Sequence, residues 1–188
     1  MISNIGNYHY ICKQYNMYIM ENSLRLYTLS LRETRTYTLA SLFVIGNILL
    51  PQLCHLIPQG GLIFLPIYFF TLIAAYKYGI VAGMLTAVLS PVINAALFGM
   101  PAPAVLPSIL IKSVFLAGIA ATVAKRYHAV SIPLLILVVL SYQVGGCLIE
   151  SALTGSLAAG FQDFKMGIPG MLLQTIGGWA LIKFVLNK

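Results

Sequence analysis

Six apolar runs follow one another along the chain, separated by proline, glycine or charge. The first covers Tyr37 to Ile57 and breaks at Pro58, Gln59, Gly60 and Gly61; the second covers Leu62 to Tyr76 and closes at Lys77. The third spans Tyr78 to Phe98, the fourth Pro103 to Ala124, the fifth Val130 to Leu153 and the sixth Met166 to Leu186. A helix needs ~20 apolar residues to cross a bilayer. The pattern therefore predicts an all-α integral membrane protein, a compact bundle of six transmembrane helices over residues 37–188. Pro91 and Pro107 are expected to kink their helices.

Composition agrees with that reading. Of 188 residues 60% are hydrophobic and 8% charged, with a mean hydropathy of +0.91, whereas soluble domains carry roughly 25% charged residues. So few charges cannot cover a water-facing surface. The net charge of +7 does not indicate nucleic acid, because the cations sit between apolar runs rather than on one patch. If six helices alternate, Lys13, Arg25, Arg32, Arg35, Lys77, Lys125, Arg126, Lys183 and Lys188 fall on one side and only Lys165 on the other. By the positive-inside rule both termini are cytoplasmic, and the protein is a multi-pass component of the inner (cytoplasmic) membrane. The external connections are then Pro58 to Gly61, Gly99 to Ala102, and the loop Thr154 to Lys165. Residues 1–36 are polar and tyrosine-rich and read as a disordered cytosolic leader, in which Met20 is an alternative start that would leave a compact basic flank. Cys12, Cys54 and Cys147 lack the spacing of a zinc or redox motif and read as free thiols.

Two charges lie well inside the runs, away from the basic ends. Lys112 is central in the fourth, where a lysine costs at least ~2.5–3.5 kcal/mol, with Ser108 one turn outward and Phe115 one turn inward on its face. Ligand binding, a structural ion pair and snorkelling each compensate such a charge. Glu150 lies on the outer third of the fifth run, on a stripe with Gln143 and Gly146 or Cys147 at helical spacing. Lys112 is about one turn deeper than Glu150, so the two either pair directly or bracket a ligand. Gln174 and Asn94 fall in the outer half or near the midplane and complete the candidate binding set with Tyr142, whose ring would supply a stacking face, while His55 and Gln52 are positioned to lid a pocket open to the outside. Asn47 is deeper and reads as structural.

Small residues recur every four positions in the third run: Gly79, Gly83, Ala87, then Ala95 and Gly99, with Pro91 between. Such a row allows close backbone approach, either within the bundle or against another membrane protein. The sequences required for a P-loop, a zinc protease helix or an intramembrane catalytic dyad are absent. No enzymatic activity and no cofactor is expected in this chain.

The stretch Leu65 to Arg126 resembles the substrate-binding S-component of energy-coupling-factor (ECF) vitamin transporters. The resemblance rests on the hairpin turn at Lys77, Tyr78 and Gly79, the Gly83 row, Ser90-Pro91, and Phe98-Gly99-Met100-Pro101. It implies a subunit that binds a small water-soluble vitamin or related metabolite externally and docks to a transmembrane T-component powered by two cytosolic ATPases. Gly79, Gly83, Ala87 and Ala95 would then face the T-component, and the whole subunit would topple in the bilayer to release its ligand. The Ala-x-x-x-Ala pair of many members is replaced here by Ala40 with Val44. The rival reading is a membrane scaffold whose Lys112–Glu150 pair fixes helix register.

Overall fold

The computed structural model describes residues 26–186; within them six helices are long and apolar enough to cross a membrane. They are Thr34–Cys54, Gly60–Tyr78, Ile80–Phe98, Leu106–Tyr127, Ile132–Ala152 and Ile168–Val185, hereafter the first to sixth spans. Their ends lie within a few residues of the apolar runs, because hydrophobic length alone sets them. Met20, Cys12, Lys13, Arg25, Lys188 and the leader up to residue 25 lie outside the described residues.

The second span is the hub. Of its apolar window 67% is buried inside the chain, against 28–39% for the other five, and Leu72, Ile73, Ala74 and Ala75 are wholly enclosed. Short connections force neighbouring spans to run in opposite directions. At one end, here the basic end, the Tyr76 hydroxyl donates to the Ala129 carbonyl at 2.7 Å, joining the second span to the turn between the fourth and fifth. At the other, the far end, Gly170 of the sixth span lies against the Phe64 backbone.

Several local features differ from the sequence reading. The second span is not one continuous helix: Leu65 adopts a left-handed conformation (φ 46°) and Pro66–Tyr68 forms a 3₁₀ turn. Pro66 accounts for the break, because proline drives the residue before it out of the right-handed helical region. Pro107 starts the fourth span instead of kinking it, occupying the first turn, where the missing N–H has no helical partner to lose. Thr154 to Lys165 is not a simple loop, since Leu157–Met166 is a helix.

Residues 26–36 are also not a loose leader. The backbone N–H groups of Tyr27 and Leu29 donate to the carbonyls of Lys77 and Tyr78 at 3.1 and 3.4 Å, and Leu29 is buried. Tyr27 stacks on Tyr78 with ring centroids 5.7 Å apart, and the Lys77 ammonium lies 5.6 Å from the Tyr27 ring. Lys77, expected at the membrane surface, is thereby fully enclosed. Its position in the last turn of a helix places its charge at the negative end of the dipole.

The row of small residues turns inward. Gly83 and Ala87 are buried, and a Cβ on Gly83 would collide with Ala75 of the second span. Gly79 faces the Tyr27 backbone, and with Ala95 it is only partly buried. At Gly83 the row packs the third span closely against the second, which is the packing within the bundle that such a row allows.

Candidate functional site

The buried polar residues form three groups, each built where spans meet. The first joins the fourth and fifth spans. Lys112 forms an ion pair with Glu150, and the side chains are 4% and 20% exposed. Gly146 makes this possible: a Cβ there would stand 2.6 Å from Lys112 Cγ, so the lysine stem lies across the space that glycine leaves. Gly146 precedes Glu150 by one turn, and the ammonium therefore reaches along the fifth span toward the far end to find the carboxylate. On the same two spans, Ser113 Oγ, Gln143 Oε1 and Ser151 Oγ are buried without a hydrogen-bond partner among the described residues. Such atoms are costly to bury and normally satisfied. Ser113 and Ser151 adjoin the two charged residues in sequence, and Gln143 shares the Gly146 face of the fifth span.

A second group ties the fifth and sixth spans to the break in the second. The Tyr142 hydroxyl donates to Gln174 Oε1 at 2.9 Å, and Gln174 Nε2 donates to the Leu65 carbonyl at 3.4 Å. Tyr68 packs on Tyr142 with centroids 5.4 Å apart. Leu173–Gly177 is wound as a π-helix, so Gln174 sits in a widened turn of a kind that recurs at functional sites. Gln174 and Tyr142 are thus both engaged in hydrogen bonds within the fold.

The third group cross-links the first three spans. Asn47 Nδ2 donates to Thr71 Oγ1 and Ser90 Oγ at 3.0 and 3.1 Å, and its Oδ1 accepts from the Phe70 N–H at 3.1 Å. Asn94 donates to the Asn47 carbonyl at 2.9 Å and accepts from Gln52 at 3.5 Å. This bears out the structural reading of Asn47 and brings Asn94 into the same network. Above it, toward the far end, opens a cavity of about 340 Å³ lined by Gln52, His55, Gln59, Asn94, Met100 and Ile109 among others.

Among the candidate residues, Gln52, His55 and Asn94 line this cavity, Lys112 pairs with Glu150 across the fourth and fifth spans, and Tyr142 is hydrogen-bonded to Gln174. Ile109 links the first two sets. It lines the cavity and precedes Lys112 by three residues and Ser113 by four, placing it about one ~5.4 Å turn above both. Sequence reasoning missed Ser113, Ser151 and the Leu65 carbonyl. The signals available were serines adjoining the two charges set deepest in the apolar runs and a proline inside an apolar run. Among the described residues, no cluster of histidine, cysteine or acidic side chains is able to hold a metal ion. Compared with protein-family models, curated proteins and solved structures, the chain matches none of them.

Proposed function

We propose that this chain is the substrate-binding membrane subunit of an ECF-type importer, taking a small, carboxylated, water-soluble metabolite of the vitamin class from the external side. In this reading the far end faces outward and the basic end faces the cytoplasm. The observation that carries it is the Lys112–Glu150 ion pair within the spans, together with buried polar atoms that lack a partner among the described residues at Ser113 and Ser151, next to the two charges in sequence, and at Gln143. An ionisable pair within spans costs energy that apolar residues would spare, and the unsatisfied atoms add to that cost. A solute carboxylate would take the place of Glu150 on the Lys112 ammonium and release Glu150 to accept from a solute donor. Gln143 Oε1 and the two serines would gain partners. The cavity at Gln52, His55 and Asn94 supplies an entry about one turn above the pair. Transport would need a T-component and two ATPases as partners, since the sequence has no P-loop of its own.

The direct contact between Lys112 and Glu150 favours a second reading, a scaffold in which the pair only fixes helix register. Thermal unfolding of the purified protein against a panel of small carboxylated metabolites separates the two, because a ligand at 100 times its Kd adds about 2.7 kcal/mol of apparent stability. A binding subunit is stabilised by one member of the panel, and the Lys112→Met/Glu150→Leu variant stays folded but loses that response. A scaffold gives no response in either protein.

A further inference from the structure

We infer that the face between the third and fourth spans seats an anionic phospholipid, one acyl chain in an apolar slot and the headgroup phosphate at Lys125 and His128. The slot has a volume of about 780 Å³. Its walls are Ile80, Met84 and Val88 of the third span and Ile111, Phe115 and Gly118 of the fourth, with others. Gly118 forms the floor, since a Cβ there would meet only Met84 Cε, at 3.8 Å. Along the fourth span Ile111, Phe115, Gly118, Thr122 and Lys125 recur at intervals of three and four, which places them on one helix face. That face is apolar over most of its length and cationic at the basic end.

The slot does not end blindly. Ile80 and Thr122 also line an adjoining cavity of about 750 Å³ at the basic end, whose other walls include Tyr27, Tyr76, Lys125 and His128. From Leu110 to Val123 the slot runs about 20 Å at ~1.5 Å per residue. One leaflet of a ~30 Å hydrocarbon core is about 15 Å deep, so an acyl chain is accommodated with its glycerophosphate at the joining point. Basic pockets between spans on the cytoplasmic side bind anionic headgroups. Charge complementarity and the continuity of the two cavities favour a lipid over a partner helix, which would fill the slot and leave the cationic cavity unoccupied. The seat is separate from the Lys112–Glu150 site and stands whether or not that site binds a solute.

Native mass spectrometry of the detergent-solubilised protein with added dioleoylphosphatidylglycerol or dioleoylphosphatidylcholine tests this. One phosphatidylglycerol should be retained per chain, at least tenfold in preference to phosphatidylcholine, and Lys125→Gln/His128→Gln should abolish that preference. Dihexanoylphosphatidylglycerol should be retained at least tenfold less on the unaltered protein, and free glycerol 3-phosphate not at all. Equal retention of the two dioleoyl lipids, a preference surviving the double substitution, equal retention of the short-chain lipid, or a membrane protein co-purifying in the lipid's place would each overturn the proposal.

Discussion

Separating Lys112 from Glu150 by substitution should produce unequal losses that vanish when both are replaced. The Lys112 side chain is 4% exposed and that of Glu150 is 20%. Glu150→Leu takes the carboxylate away from a nearly enclosed ammonium pressed across Gly146, and should cost about 3–5 kcal/mol, the range for removing one partner of a buried pair. Lys112→Met leaves a carboxylate that partial solvation and protonation relieve, so its loss should be near ~2 kcal/mol. The double variant Lys112→Met/Glu150→Leu buries apolar groups instead, and should match or exceed the parent in stability. A double-mutant cycle measured by SDS-induced unfolding in mixed micelles reads these differences directly. The Glu150→Leu loss alone corresponds to at least a hundredfold change in the unfolding equilibrium at 1.4 kcal/mol per tenfold. Additive losses, with the double variant least stable of all, would refute the claim that the two charges form one coupled unit.

Glycine substitutions test the packing with opposite expected signs. Gly170→Ala would place a Cβ 2.5 Å from the Phe64 carbonyl carbon and oxygen, backbone atoms with no rotamer to yield, and should cost about 1–3 kcal/mol in the same unfolding assay. Gly118→Ala has room, and should be neutral or stabilising by up to ~1 kcal/mol because alanine favours helix over glycine. Asn47→Ala removes three hydrogen bonds between spans and should cost about 2 kcal/mol at ~0.6 kcal/mol for each such bond; no loss would show that the network is incidental. Tyr142→Phe should give a smaller loss, within about 1–2 kcal/mol, by leaving Gln174 Oε1 short of its donor.

The six spans were legible because lipid imposes a length and a composition that single apolar runs display. The relative depth of Lys112 and Glu150 was legible for the same reason, since distance from a helix end converts to depth at a fixed rise. What escaped the sequence depends on contacts between distant segments. The enclosure of Lys77 needs Tyr27 and Leu29 to pair with the turn it occupies, and nothing in the residues near Lys77 announces that cover. Gln174 enters the candidate set by its depth and Tyr142 as a stacking face, and neither signal carries the rotational information that would reveal their hydrogen bond to each other. The break at Leu65 supplied a carbonyl for Gln174 and fixed the side chain in the hub. The row from Gly83 to Ala87 was readable as a close-packing seam, whereas its partner, the alanine-rich second span, became evident only from the fold.

The central claim is that Lys112 recognises the carboxylate of a small solute entering from the far end. Isothermal titration of the purified protein with the carboxylate that most stabilises it, alongside the amide of the same compound, tests this most directly. Saturable binding of the carboxylate, at least a hundredfold weaker binding of the amide, and loss of binding in a folded Lys112→Met variant are the expected results. Equal affinity for acid and amide, or undiminished affinity in Lys112→Met, would contradict the account.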